Sequence, residues 1–313
     1  MANLGYIQII RSCNQHCLFC SNPENDRVVP VATAREQILE LEMLGYEGVI
    51  FTGGEPTLHP YLPALVEYAV SRGVAPRVIT NGSKIADMNY FTGLKAAGLS
   101  HVHVSLHSSR VDVQDFLTAT PGSHAAIMRA LKNAGELKVP IDVNTVINSR
   151  NADHLDETVM EVVGKYPWVR HFVWNNIDPS MNRVAQNPGM VAQPPTFELS
   201  LWRAMRFLES QKRTFRVERV PLCFMAEFAH CSTETRKIVK AEERLVNFLD
   251  EKGRVRQTDF FHHKGRLCGV CTLDPVCAGL YEPGRWYDPR CLHPLFLDSG
   301  AIRMRILGAG GGT

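Results

Sequence analysis

Residues 6–20 read YIQIIRSCNQHCLFC and residues 48–56 read GVIFTGGEP. Each is a short run rich in β-branched and aromatic residues that breaks into a polar or glycine-bearing loop, the pattern of a strand whose carboxyl end opens into a loop. The pattern recurs along the chain. Strands are expected over residues 6–10, 48–52, 76–80, 101–106, 141–147 and 171–174. Between them, residues 34–44, 61–72, 88–97, 124–137 and 154–166 carry apolar positions at three- and four-residue spacing, as helices with one buried face do. Such alternation builds parallel βαβ units with helices outside the sheet. Six units make the expected fold class α/β, a partial (β/α)6 TIM-like barrel with a small C-terminal cysteine-rich extension. In parallel barrels the chemistry sits in the loops after the strands, and both quoted loops stand there.

Working outward, the 313 residues suffice for one large domain and an appendage. The expected division is 1–180 for the barrel core, 181–255 for a connecting, substrate-facing segment and 256–313 for the cysteine-rich end. Residues 182–196, rich in proline, glycine and amides, read as a linker or a substrate-facing loop. Beyond them a helix is expected over 197–212, a strand over 215–220 and a charged helix over 232–249, whose RKIVKAEER stretch (236–244) reads as a solvated face. Residues 308–313 read as a frayed tail. A net charge of +2 gives no reason to expect a nucleic-acid partner. The N-terminus lacks a signal-peptide run and no apolar stretch approaches membrane-spanning length, so a cytoplasmic location without a membrane partner is expected. Nine cysteines in such a chain point to metal or redox chemistry rather than disulfides.

Three of them, Cys13, Cys17 and Cys20, fall within eight positions of the first loop. Clustered thiolates select soft metals. Zinc completes a tetrahedron with a fourth ligand, for which His16 is near at hand, whereas a [4Fe–4S] cluster can rest on three thiolates and leave one iron open. The spacing of three residues and then two, with Phe19 before the last cysteine, resembles the cluster-binding loop of the radical S-adenosylmethionine superfamily. That resemblance implies that the open iron chelates the amino and carboxylate groups of S-adenosylmethionine. An electron, delivered by a donor such as flavodoxin or ferredoxin, then splits the sulfonium to a 5′-deoxyadenosyl radical that takes hydrogen from substrate.

Gly53, Gly54, Glu55 and Pro56 match the family's GGEP loop. By that resemblance Glu55 and the loop backbone bind the methionine amino group. Asn81, Ser105, Asn144 and Asn175, at other strand ends, resemble positions that contact ribose, carboxylate and adenine. Local capping is the competing reading for each.

Four more cysteines gather near the C-terminus, in RLCGVCTLDPVC (266–277) and at Cys291. Chemistry alone leaves zinc and iron–sulfur equally open. The spacing of two and then five residues resembles the auxiliary-cluster segment of SPASM and twitch domains. This implies a second, auxiliary [4Fe–4S] cluster on Cys268, Cys271, Cys277 and Cys291. The chain departs from the full pattern near Tyr281, where a further cysteine would stand. Cys223 and Cys231 read as buried thiols, as a swapped auxiliary ligand, or as catalytic thiols that donate hydrogen to a substrate radical. His262, His263 and Lys264 read as an exposed loop, and Arg216, Glu218 and Arg219 as a substrate mouth. The resemblance implies a ribosomally made peptide or protein as substrate. A small metabolite such as a sugar, amino sugar or nucleoside is the alternative, and a zinc-stabilised binding protein is the reading from another class.

Overall fold

The computed structural model describes residues 3–23, 25–179, 182–250, 252–282 and 284–308. The chain runs β1 (Leu4–Ile10), α1 (Val31–Met43), β2 (Gly48–Gly53), α2 (Leu62–Ser71), β3 (Ala75–Thr80), α3 (Met88–Ala96), β4 (His101–Ser105), α4 (Val111–Thr118), α5 (Ser123–Leu137), β5 (Ile141–Ile147), α6 (Leu155–Lys165) and β6 (His171–Asn176). It continues through α7 (Asn182–Gln186), α8 (Pro194–Ser210), β7 (Thr214–Glu218), α9 (Thr233–Lys240), β8 (Arg244–Asn247), β9 (Arg254–Gln257) and α10 (Ser299–Gly308). All six expected strands form, within a residue or two of their expected ends. The strand order is β7-β6-β5-β4-β3-β2-β1-β8-β9, and every pairing is parallel except β8 with β9. This is the α/β partial barrel expected from the sequence, extended by further strands on both flanks.

Alternation along the strands sorts the two faces. On β3, β4 and β6 every second residue is fully buried, and Val78, Val102, Val104, Phe172 and Trp174 join the core built with the outer helices. The intervening positions face away from the helices and carry polar groups: Arg77, His101, His103, Ser105 and Asn175. The sheet curls until its flanks meet, for Arg244 on β8 donates to Glu218 on β7 at 3.1 Å although the two strands stand at opposite ends of the parallel run.

Two expectations fail here. The helix expected over 232–249 ends at Lys240, where Ala241 takes a left-handed conformation, and β8 follows. Leu245 and Val246 find better company beside β1, with Val246 opposite Tyr6, than a helix could offer, so packing overrides the helical propensity of the charged residues. The supposed solvated face is also partly interior. Arg236 is buried, as is the neighbouring Glu234, and Thr235 donates to the Val276 carbonyl at 2.8 Å, clamping α9 between β7 and the C-terminal segment. Residues 182–196, read as a linker or a substrate-facing loop, carry α7, a short 3₁₀ turn (Pro188–Met190) and the first residues of α8. The expected tail at 308–313 lies, beyond Gly308, outside the described residues. Among the described residues no helix is long and apolar enough to cross a membrane.

Buried histidines give the fold an acid limit. His107 Nδ1 accepts the Val146 backbone N–H at 3.2 Å, and burial pushes its pKa down to about 3. Burial likewise takes His171 down to about 4. Both stay neutral in the fold at pH values where the unfolded chain, with a histidine pKa of about 6.5, is already charged. Their stability contribution is therefore complete above that value and lost as pH falls toward 4 and 3, by about 1.4 kcal/mol per histidine at pH 5.5. His107→Gln is expected to narrow the gap in unfolding free energy between parent and variant by that amount from pH 7.5 to 5.5, as read from urea melts. A gap that does not move with pH would contradict the assignment.

Candidate active site

The loop after β1 is held from three sides. His16 and Leu18 donate their backbone N–H groups to the carbonyls of Thr118 (3.0 Å) and Leu117 (2.9 Å) at the end of α4. Phe19 packs into an apolar cluster with Leu117, Ile177, Val184 and Met190, and its ring meets His107 edge-on at 4.6 Å. Buried Arg11 reaches Asp250 at 2.9 Å and Asn22 at 3.1 Å. The third side is the glycine pair after β2. Gly54 donates to the Ile10 carbonyl at 2.7 Å, and Glu55 to that of Ser12 at 2.9 Å. A Cβ on Gly53, which has φ of 138°, would lie 2.1 Å from the Ile10 oxygen, and one on Gly54 would lie 2.2 Å from the Arg11 oxygen. Two bare backbones are pressed together there, and only glycine permits it.

The loop presents Cys13, Cys17 and Cys20, each partly exposed. Cys13 Sγ receives the Gln15 backbone N–H at 3.4 Å and the Asn81 amide at 3.7 Å. Burial raises the pKa of the Cys13 and Cys17 thiols, and for Cys17 the nearby Cys20 and Cys13 raise it further. A bound cation would relieve that penalty on Cys13 and Cys17. Among the described residues, the His/Cys/Asp/Glu set with all its ligand atoms within 4.8 Å of one another is His101, His103 and Asp142, not these cysteines. Tetrahedral zinc with bonds of about 2.3 Å needs sulfurs about 3.8 Å apart. A cluster in which each thiolate binds its own iron does not require the sulfurs to stand that close. His16 is exposed, and its Nδ1 lies 3.5 Å from the Arg183 guanidinium.

The remaining strand ends close around this loop. Glu55 is buried and uses both carboxylate oxygens within the protein. Oε1 accepts from Thr57 N–H (3.1 Å), Thr57 Oγ1 (2.5 Å) and Thr80 Oγ1 (2.7 Å), and Oε2 from Asn81 N–H (2.7 Å). Desolvation pushes its pKa up against these donors. Its visible work is to lock the β2 and β3 loops together. Pro56 begins the short turn that Glu55 caps. Asn81 also donates to Asn14 at 2.7 Å, tying the β3 end to the cysteine loop. Ser105 and Asn144 are register partners on β4 and β5, and Asn144 Oδ1 is buried without a hydrogen-bond partner, an acceptor turned to the barrel interior. Asn175, half-buried on β6, stands between Val146 and Glu218.

Beside the cysteine loop opens a cavity of about 330 Å³ with mostly charged and polar walls. Ser21 and Asn22 line it from the loop, and Arg219, Glu234, His262 and Tyr281 from the far side. Arg219 has a left-handed backbone, φ 59°, unusual for a residue with a side chain and characteristic of functional positions. Its N–H is held by Glu234 at 3.1 Å, its guanidinium donates to the Asn176 carbonyl at 3.4 Å, and it lies over the Tyr281 ring at 5.3 Å. No ion-pair partner for Arg219 lies among the described residues. Of the three residues expected at a substrate mouth, Arg219 lines this cavity while Glu218 is taken by Arg244. His262 is no free loop residue either: its N–H donates to Ala278 at 2.6 Å and its ring meets Tyr281 edge-on at 4.8 Å. Asp178, Glu234 and Tyr281 were not singled out as site residues by sequence. They reach the cavity from distant segments, and no local motif marks them.

The C-terminal cysteines meet at a second place. A pocket of about 20 Å³ is lined by Cys268, Cys271, Cys277 and also Cys223, with Leu222, Leu273 and Leu292 around them. Cys291 does not line it. Cys231 lies elsewhere, buried, its Sγ 3.3 Å from His230 Nε2. Neither Cys223 nor Cys231 lines the polar cavity.

Comparison with known proteins agrees with this geometry. Residues 7–162 match the Radical SAM superfamily, in which SAM is S-adenosylmethionine. The chain is 32% identical over 145 residues to the Fe-coproporphyrin III synthase of Methanosarcina barkeri (strain Fusaro / DSM 804), covering 45% of this chain and 36% of that protein. It is 30% identical over 160 residues to the PqqA peptide cyclase of Rhodopseudomonas palustris (strain ATCC BAA-98 / CGA009), covering 50% and 42%. The match thus spans well under half the length of these curated relatives. Among solved structures, Streptococcus suis SuiB bound to precursor peptide SuiA shares the fold with a TM-score of 0.63 over 90% of this chain and 72% of that one, at 15% identity.

Proposed function

We propose that this chain, which carries a Radical SAM superfamily domain over residues 7–162, is a radical S-adenosylmethionine enzyme that modifies a ribosomally made peptide or protein. The observation that carries the reading is the cysteine loop itself, three separated thiols pressed by backbone contact against a glycine pair. Cys13, Cys17 and Cys20 hold a [4Fe–4S] cluster there. A cluster held by these three thiolates would have an iron without a protein ligand and would supply the chemistry of reductive S-adenosylmethionine cleavage.

The chain's own residues do the positioning. Gly53 and Gly54 let the β2 loop press against the cysteine loop, and Glu55 fixes it there through its four accepted hydrogen bonds. The orphaned Asn144 oxygen beside Ser105 accepts a ribose hydroxyl, with Asn81 and Asn175 flanking it. Phe19 and its apolar neighbours exclude water beside the cluster. The electron comes from a donor such as flavodoxin or ferredoxin. The C-terminal thiols would hold a second, auxiliary [4Fe–4S] cluster. Substrate enters the polar cavity, where the Arg219 guanidinium offers its unpaired donors to a carboxylate.

The PqqA peptide cyclase relative supports a peptide substrate. The cavity's modest volume favours a second reading, a small polar metabolite, since sites for small ligands run from about 300 to 1,000 Å³. Incubating the anaerobic, dithionite-reduced protein with S-adenosylmethionine is expected to yield 5′-deoxyadenosine and methionine. Absence of cleavage in a brown, iron-loaded preparation would refute the reading. Arg219→Met is expected to lower kcat/KM for an acidic substrate roughly 10- to 100-fold, the worth of a charge-assisted hydrogen bond, while sparing cleavage without substrate. An equal loss in both assays would make Arg219 structural.

A further inference from the structure

We infer that the fourth thiolate of the C-terminal iron–sulfur site is Cys223, supplied by the barrel, and not Cys291. This rests on the reading that the segment holds a cluster at all. Four sulfurs line the pocket, and Cys223 is the one contributed from outside the cysteine-rich segment. It sits in the turn Leu222–Phe224, introduced by Pro221, just after β7. The pocket walls are built for thiolates. Cys271 Sγ receives the Leu295 N–H at 3.3 Å, while backbone N–H groups of His293 and Leu222 face Cys223 and Cys277. Leucines 222, 273, 292 and 295 exclude water around them. Lys264 brings a cation to the wall and is fixed by the carbonyls of Cys277 (2.6 Å) and Asp274 (3.1 Å).

The Cys223 turn is seated against the C-terminal segment independently of any metal, through the Phe224 and His293 rings at 5.5 Å. Cys291 stands close enough for its thiol to act on that of Cys223, but it is held in the turn Pro289–Cys291, capped by Asp288, and the pocket wall itself is built by the following Leu292 and His293. The assignment ties the cluster to the end of β7, four residues beyond Arg219. Loading it fixes one wall of the polar cavity and removes Cys223 from any role as hydrogen donor.

The test uses the full chain, anaerobically reconstituted with iron and sulfide. Each thiol is titrated with iodoacetamide and read by mass spectrometry before and after iron is chelated. Cys223 is expected to be protected together with Cys268, Cys271 and Cys277 and to react once iron is removed, whereas Cys291 reacts in both states. In parallel, iron is expected to fall from about eight to about four atoms per chain in Cys223→Ala and to stay near eight in Cys291→Ala. Protected Cys291 beside reactive Cys223, or the reverse iron counts, would overturn the ligand assignment while leaving the cluster in place. About four irons in the parent protein with all these thiols reactive would instead remove the auxiliary cluster, and the inference with it. The alkylation arm needs no variant, so a misfolded Cys223→Ala protein leaves the question decided.

Discussion

Cys17→Ala is expected to bring 5′-deoxyadenosine formation down to the level of a protein-free control. Cys17 is the middle thiol of the loop, and its backbone carbonyl also receives the Cys20 N–H at 3.1 Å, so the change touches the metal set and the turn that shapes it. With one of three thiolates gone, no arrangement of the remaining two leaves a cluster with a single free iron. The expected loss exceeds the roughly 10- to 100-fold that changes behind a metal ligand cost. Iron content falls in step, by about four atoms per chain. Cys271→Ala, in the other thiol pocket, is expected to spare part of the cleavage. Undiminished activity in Cys17→Ala would show that the loop is not where S-adenosylmethionine is cleaved.

Gly54→Ala is expected to have nearly as large an effect without removing any ligand. Its Cβ would stand 2.2 Å from the Arg11 oxygen and 2.4 Å from that of Ser12. Both are backbone atoms, so no side chain can swing aside. The β2 loop must then lift from the cysteine loop, breaking the Gly54 bond to Ile10 and the Glu55 bond to Ser12. Overpacking of this kind costs about 1–3 kcal/mol, and each lost hydrogen bond adds about 1 kcal/mol. Reduced cluster loading and a lower thermal midpoint follow. Gly93 provides the control: it lies within α3, where an added methyl group would meet nothing within 4 Å, so Gly93→Ala is expected to be neutral or to stabilise by about 0.5–1 kcal/mol. Equal behaviour of the two variants in iron content and melting would refute the packing argument.

How much of this was legible follows from how local each signal is. The strands of residues 6–177 announce themselves because each is a compact β-rich run against a polar or glycine loop, and the two motifs that follow β1 and β2 are contiguous. What failed to show was set at a distance. β8 hides in helix-favouring residues because its partner is β1, more than 230 positions earlier. The charged α9 looked solvated because burial of Arg236 and Glu234 depends on the C-terminal segment and β7 folding over them. α4, eight residues ending at a left-handed Ala119, is too short to stand apart from the helix that follows. Arg219 was named as a mouth residue, yet its positive φ and its lack of an ion-pair partner among the described residues are properties of three dimensions. Cys223 was read from sequence as a buried thiol, a swapped auxiliary ligand or a hydrogen donor, and with 45 positions between it and Cys268 no spacing rule chooses among these.

The account depends on an iron that the protein leaves uncovered beside Cys13, Cys17 and Cys20. The most direct measurement is the electron paramagnetic resonance of the reduced, iron-loaded chain, taken with and without S-adenosylmethionine carrying ¹⁵N at its amino group. The prediction is a changed cluster spectrum with hyperfine coupling to the labelled nitrogen, present in the parent protein and in Cys271→Ala but absent from Cys17→Ala. A spectrum indifferent to S-adenosylmethionine, or a colourless protein with zinc in the loop, would contradict it.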